Sequence, residues 1–599
     1  MCGLLGIIDN SGVDLSRAMG GLRDLHHRGP DAAGQVLLDK GRLFLGHTRL
    51  KVIDMSDGAN QPFVSPCGRY TIVFNGEIVN FEELRKSVSD WRWRTKSDTE
   101  VLLALYARFG MDMLRRLNGM FAFCIYDEER RRTILGRDRF GIKPLYYVRL
   151  KNGWAFGSEI PPLLRQLDRV AADRRMIRTY LETALYDFGP NTFFEHVKTL
   201  EPGCWLEFNH ETGTVIQERW YRLADQVPDL TSATEEELIE ETERLVRVAI
   251  KDHLVADVTV GLNVSGGVDS SVLVRVALEQ LGHAHLFTQD YEGYSEEPWV
   301  REIADGGTLH VERLTLESID SVLRDVVRSQ GEPFGGVLVC GYHYLYAAAE
   351  HAGVTVLLDG NGVDECFLGY KKYHQQYVST ASSATPAFVD EYRHFWGEAP
   401  RVQPRPDGSH VAVDGTLPTC TETISAALLR DVIPYQIPSA QEFSDPVKNA
   451  AASDLLYSRI PRGLRFNDRI SMASSKELRV PFLDYRLVEF GMGVPTKFLL
   501  NGSGSKALFR KAAARMIPRS VAFASKRTVQ SPQREWLVQG WRPFMDELLS
   551  SDSFRSRGWV DVSRAQQVYR KACETGLDNS FFLWQWLNLE LWARQYLTD

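Results

Sequence analysis

The chain has 599 residues, enough for two large domains, and its 44% hydrophobic and 25% charged content is that of an ordinary globular protein. A formal charge of -8 supplies no basic field for nucleic acid, and no apolar stretch reaches the length of a membrane-spanning helix. The eight cysteines form no CxxC pair, which argues against a disulfide scaffold and a zinc site and leads us to expect a reducing cytoplasm.

The chain opens MCGLLGII. Loss of the initiator methionine would leave a thiol and a free α-amine on Cys2, and an amine with a pKa of about 8 can take the proton of a thiol of about 8.5 without a histidine. Read alone, Cys2 fits equally well as a buried cysteine in a short apolar strand. The apolar run 4–8 is too short for a signal segment.

Along the first 205 residues, short β-like runs at 42–46, 70–74, 120–126, 133–136, 145–148 and 154–156 alternate with Gly, Asp and Asn, and helical periodicity appears at 11–25 and 98–109. The pattern predicts an α+β domain with antiparallel pairing. From 234–254, a long charged amphipathic helix, the pattern changes. Apolar strands at 258–264, 285–288 and 354–358 alternate with helices at 270–281 and 340–351, the signature of a parallel sheet covered on both faces. Residues 379–418 read as an irregular excursion, and 581–597 as a buried aromatic-rich closing helix.

Several groups in the first half suit attack on an amide. Arg49 in HTRLKVID can clamp a carboxylate with its fork. Asn75-Gly76-Glu77 offers a side-chain amide and a glycine N–H for an oxyanion, and Asp98 in KSDTE can pair with an ammonium. Singly, each has an ordinary reading: a surface pair for Arg49, a hairpin turn for Asn75-Gly76, a helix N-cap for Asp98. Together, MCGLLGI, HHRGPDA, HTRLKVID, NGEIVNF, KSDTE, LNGMFAF and GRDRFGIKPLYY resemble the glutaminase domain of class II glutamine amidotransferases. The resemblance implies an N-terminal-nucleophile hydrolase domain over 2–205, a four-layer αββα fold with Cys2 attacking the side-chain amide of glutamine. Arg49, Asn75, Gly76, Glu77 and Asp98 would bind glutamine, with Asn75 and Gly76 at the oxyanion.

In the second half, SGGVDSS at 265–271 ends an apolar strand and opens a helix, which makes an anion site. Asp269 beside phosphates requires an intervening cation, most simply Mg²⁺. A second strand ends in DGNGVDE at 359–365, carrying Asp364, so two Gly-rich loops can face one nucleotide. SGGVDSS resembles the pyrophosphate loop of ATP pyrophosphatases. With FNDRISMASSKELRVPFLDYRLVEF, SKALFRKAAARMIP and Lys526, the half over 235–599 resembles the α/β ATP-pyrophosphatase domain of glutamine-hydrolysing asparagine synthetases.

The resemblance implies that ATP adenylates a carboxylate and that ammonia from glutamine converts it to an amide. Ser265, Gly266, Gly267, Asp269, Ser270, Ser271, Gly360, Asp364, Lys506 and Lys526 would bind ATP and pyrophosphate, Asp269 and Asp364 the metal, with Lys526 also catalytic. ATP and Mg²⁺ are the implied cofactors, a homodimer is compatible, and neither nucleic acid nor membrane is an implied partner. One position departs: where the family reads SGEGADE, this chain has Asn361, an amide that cannot act as a base. Either another group takes the proton, or the acceptor pocket at Asp359 and Asn361, with the KKYH tract at 371–374 nearby, suits a different carboxylate such as a uronic-acid sugar. Aspartate is the leading acceptor; a glutaminase-only or non-catalytic homologue is the reading from another class.

Overall fold

The structure is a computed structural model, and it describes residues 1–380, 386–396, 402–404, 410–412, 419–500, 504–525, 531–576 and 579–597. Two six-stranded antiparallel sheets form the first part. In one, Gly3–Asp9 lies between Leu43–Arg49 and Gly153–Gly157; in the other, Tyr70–Ile78 pairs with Gly119–Asp127, and the sheet runs on to Val215–Arg219. Alternation along Gly3–Asp9 sets the layers. Leu4 and Ile8 join Leu45, Val73 and Leu135 between the sheets, while Leu5 and Ile7 pack outward with Leu22 of the helix Leu15–Asp24. Gly6 shares the inner face with Leu4 and Ile8 and admits no side chain there, since a Cβ would sit 2.0 Å from the ring of Phe156. The helix Asp98–Phe109 covers the second sheet, so the layers run helix, sheet, sheet, helix.

Downstream, five parallel strands are ordered Thr308–Leu314, His285–Tyr291, Val260–Asn263, Val356–Leu358, Glu477–Arg479. Their buried aliphatic centres, with Leu262, Leu286, Leu357 and Leu358 fully enclosed, explain the unbroken apolar runs of the sequence. The chain moves outward in one direction from Val260–Asn263 and in the other from Val356–Leu358. The crevice therefore opens between these two strands, at their carboxyl ends.

Strand and helix expectations hold with shifted ends: 70–74 grows to Tyr70–Ile78 and 340–351 to Val337–His351, 258–264 shortens to Val260–Asn263, 354–358 to Val356–Leu358 and 11–25 to Leu15–Asp24, while 581–597 is the helix Phe581–Tyr596 with three fully buried tryptophans. The stretch 379–418 is more regular than its Pro/Ser/Ala content suggested. Among its described residues are the helix Pro386–Trp396 and a two-stranded ribbon of Val402–Pro404 with His410–Ala412.

The helix Arg459–Ala473 joins the two parts. Arg465 pairs with Asp187 at 2.7 Å, Arg469 with Glu159 at 3.1 Å, and Asp468 with Arg28 at 2.9 Å.

Candidate active sites

At the start of the first strand, Cys2 places its sulfur 3.9 Å from the carbonyl of Leu50, and its backbone N–H donates to Asn75 Oδ1 at 2.9 Å. Met1 is fully enclosed, with its ammonium 3.0 Å from Glu477, and the nitrogen of Cys2 is here that of a peptide bond. Burial pushes the Cys2 thiol up, and nearby positive charge from the N-terminus and Arg49 opposes it. Arg28 fixes the cysteine by donating Nε to its carbonyl at 3.0 Å.

Asn75, Gly76 and Glu77 lie inside the strand Tyr70–Ile78, not in a turn after it. Asn75 is fully buried and its Nδ2 has no partner among the described residues, while its Oδ1 holds Cys2; the free donor thus sits beside the sulfur's own backbone. Gly76 admits no side chain, since a Cβ would lie 2.2 Å from the carbonyl of Met120 on the paired strand. The helix N-cap is Ser97; Asp98 follows it and accepts from the amide of Ile78 at 3.1 Å, which ties it to the strand that carries Glu77. Burial pushes Asp98 up to about 6 and raises Glu77 as well, Asp98 adding to the latter.

Arg49 is buried rather than paired at the surface. Both of its Nη groups are engaged by the adjoining loop: Nη1 by the carbonyl of Ser56 and by Asn60 Oδ1, each at 2.8 Å, and Nη2 by the carbonyls of Ile53 and Asp54. It braces the wall of the site in this conformation, and a fork for a carboxylate requires that loop to release it.

In the second part, a cavity of 480 Å³ is walled by both Gly-rich loops, including Ser265, Gly266, Gly267, Asp269, Ser270, Asp359, Gly360, Asn361, Asp364 and Lys506. Gly267 caps the helix Val268–Leu281, whose N-terminus faces this space. The serines are turned inward: Ser270 Oγ donates to the carbonyls of Ser265 and Gly267, and Ser271 Oγ to that of Gly267 at 2.8 Å, with Ser271 outside the cavity wall. They hold the loop's shape.

Asp269 and Asp364, from different loops, meet on one ammonium: Lys506 Nζ lies 2.5 Å from Asp269 and 2.9 Å from Asp364. Burial opposes the charge on Lys506, and the two carboxylates outweigh it and raise its pKa. Two hard oxygen donors converging at the edge of this cavity, beside a helix N-terminus, fit the way Mg²⁺ is commonly held by one or two carboxylates plus phosphate. Lys526 lies outside the described residues.

Asp359 is buried, which raises it; its Oδ1 accepts from the N–H of Asn361 at 3.1 Å and its Oδ2 from Asn263 at 3.2 Å. The KKYH tract lies off the cavity wall: Lys372 and Tyr373 both bind Asp454, the tyrosine hydroxyl at 2.6 Å, and His374 reaches the carbonyl of Gly504 at 3.2 Å. Glu296, Tyr342, Tyr370 and Arg459 line the space in its place, unmarked by any motif.

The model of the glutamine amidotransferase domain family matches residues 1–221, and that of the asparagine synthase family matches 241–594. Glutamine-hydrolyzing asparagine synthetase 1 of Bacillus subtilis is 27% identical across 99% of this chain and 96% of its own. A putative glutamine-hydrolyzing asparagine synthetase of Mycobacterium tuberculosis is 29% identical across 99% and 97%, and Amidase chry2 of Gibberella zeae 26% identical across 95% and 94%.

Proposed function

The chain belongs to the asparagine synthase family, and from that premise we propose that it is an ATP-dependent ligase that amidates a carboxylate with ammonia drawn from glutamine, aspartate being the leading acceptor. One observation carries the reading: Asp269 and Asp364 leave neighbouring parallel strands and meet at Lys506 beside the cavity, while Cys2 sits in a separate domain against Asn75. A glutaminase unit over 2–205 and an ATP unit over 235–599 belong to the same proposal, supported by the change from antiparallel to parallel pairing between Arg219 and Val260.

With Met1 removed, Cys2 adds through sulfur to the amide carbon of glutamine, and its proton passes to the freed amine. Asn75 Nδ2 and the Gly76 N–H receive the oxyanion, and Arg49, Glu77 and Asp98 hold the zwitterion. Ammonia leaves, and water releases glutamate. In the other domain the acceptor carboxylate attacks the α-phosphorus of ATP, forming an acyl-adenylate and pyrophosphate. Ser265, Gly266, Gly267 and Gly360 surround the phosphates; Asp269 and Asp364 would hold Mg²⁺, which when bound offsets phosphate charge. Lys506, released from the two carboxylates, turns to pyrophosphate, and Lys526 is proposed for the same task. Ammonia, carried inside the protein, attacks the acyl carbon, giving amide, AMP and one proton.

That proton needs an acceptor. Asp359 carries, two residues earlier in the same loop, the carboxylate that Asn361 lacks, and burial raises its pKa, which makes it a stronger base than an ordinary aspartate. The second reading, a hydroxyl-bearing acid such as a uronic-acid sugar, is favoured by the same Asp359 and Asn361 pair, which can accept from and donate to hydroxyls, and by a relative named an amidase. Both readings place the reaction where glutamine and ATP are metabolised in the cytoplasm. Mass spectrometry of candidate acids incubated with glutamine and Mg-ATP tests them: a product one mass unit lighter than its acid supports amidation, and failure of every acid defeats it.

A further inference from the structure

The strand Glu477–Arg479 is the partition between the two sites. On one side Glu477 lies 3.0 Å from the ammonium of Met1, the residue that precedes Cys2, and the carbonyl of Leu478 accepts from Lys143 Nζ at 3.0 Å. On the other side the carbonyl of Arg479 accepts from the N–H of Asp359 at 2.9 Å, where the nucleotide loop begins, with Leu358 and Arg479 in register.

The guanidinium of Arg479 is fully enclosed and bonded through each of its three nitrogens. Nε binds Glu477 at 2.7 Å, Nη1 the carbonyls of His253 and Val255 at 2.8 and 2.6 Å, and Nη2 reaches Glu77 Oε2 at 3.4 Å. Glu77 Oε1 is buried without a partner among the described residues, an acceptor left for a donor from a ligand. The bond to Glu77 is the longest of the set and the one with room to tighten. Nε ties the head to its own strand through Glu477 and Nη1 ties it to the carbonyls of His253 and Val255, so a shift of the strand relative to Glu77 acts on the contact made by Nη2.

We propose that Arg479 is a positioning residue common to both active sites: its guanidinium holds Glu77 for glutamine, its carbonyl anchors Asp359 at the nucleotide loop, and filling the nucleotide cavity thereby tightens glutamine binding. The inference rests on the reading of Cys2 as the site of glutamine hydrolysis. Lysine at this position keeps the charge and cannot bridge four partners.

Glutamine hydrolysis by the full-length enzyme, without acceptor and with or without saturating Mg-ATP, tests it. For the wild type, Mg-ATP should lower KM for glutamine about fivefold. Arg479→Lys should raise KM without nucleotide more than it lowers kcat, and its KM should no longer respond to Mg-ATP. A wild-type KM indifferent to Mg-ATP, or a variant that responds as the wild type does, overturns the proposal; a wild type that releases no glutamate sinks the amidotransferase reading with it. Should the variant not fold, hydrogen exchange on the wild type decides: Mg-ATP alone must slow exchange in peptides covering 75–80 and 476–480, and unchanged exchange at 75–80 refutes the link.

Discussion

Arg28 and Asp468 meet through two side-chain hydrogen bonds of 2.9 and 3.2 Å, one residue from each half of the chain, with Arg28 fully enclosed. The same guanidinium holds the Cys2 carbonyl through Nε and Glu159 through Nη1. The orientation of the thiol therefore depends on how the second half of the chain packs against the first. Asp468→Ala should cost about 3 kcal/mol, the lower end of the range for breaking a buried pair, because Glu159 still faces the arginine. A lower urea midpoint together with slower glutamine hydrolysis is expected; an unchanged midpoint would show that the pair does not hold the halves together.

Cys2→Ala should abolish glutamine-supported amide synthesis and leave synthesis from ammonium salts largely intact, because the thiol and the ATP loops lie on different sheets. Met1 fills the place beside Glu477 when present, so the active wild type should have lost it. Intact mass spectrometry reads this directly, and an active enzyme retaining Met1 would remove the amine from the mechanism.

The nucleotide products should be AMP and pyrophosphate, one each per amide, as ³¹P NMR can follow. SGGVDSS carries no lysine of the kind that reaches β and γ phosphates in GxxxxGK[ST] loops. Asp269→Asn and Asp364→Asn should each stop synthesis and spare glutamine hydrolysis, since both carboxylates belong to the cavity of the parallel sheet. Equal loss of both activities would indicate damage to the fold.

Glutamine binding should strengthen with rising pH. Asp98, pushed up to about 6 by burial, must be ionised to hold an ammonium, and Glu77 is raised too. Below about pH 6 the site therefore has to lose a proton to bind glutamine, and KM should climb up to about tenfold per unit of acidification, levelling above it. Asp98→Asn should raise KM and flatten that slope; a profile flat in the wild type would place the ammonium elsewhere.

The sequence patterns were most informative where local rules and burial agree. The apolar alternation of Gly3–Asp9 and the unbroken runs of Val260–Asn263 and Val356–Leu358 each report how many faces are covered, and both Gly-rich loops fall at strand ends on the cavity. What stayed hidden depends on contacts distant in the chain. Arg28, Asp468 and Arg479 lie within the motif stretches that carry the resemblance, yet only the docked domains reveal whom they hold. The engagement of Arg49 by its own loop and of Lys506 by two acids likewise has no linear signal. Residues 371–374, expected near the acceptor pocket, follow Tyr370 of the cavity wall, yet Asp454, 82 positions from Lys372 and 81 from Tyr373, holds both of them and has no linear signal.

The acceptor loop gives the last prediction. If Asp359 takes the proton from attacking ammonia, Asp359→Asn should cut amide formation at least about a hundredfold, the usual scale of general-base catalysis, while acid-dependent exchange of pyrophosphate into ATP continues. Asn361→Glu would set a second carboxylate beside a buried one that has no cation among its hydrogen-bond partners in the described residues, and like charges so placed raise each other's pKa. With aspartate as acceptor, that change should be tolerated and should rescue Asp359→Asn, because an acid is restored to the loop. With a hydroxyl-bearing acid it should weaken binding by a few kcal/mol, since an amide that served a hydroxyl becomes an unpaired charge. Asparagine formation at millimolar aspartate, run beside uronic acids and their nucleotide-linked forms, separates the two. No asparagine above the enzyme-free blank would exclude aspartate and leave the amidation chemistry to whichever acid is turned over.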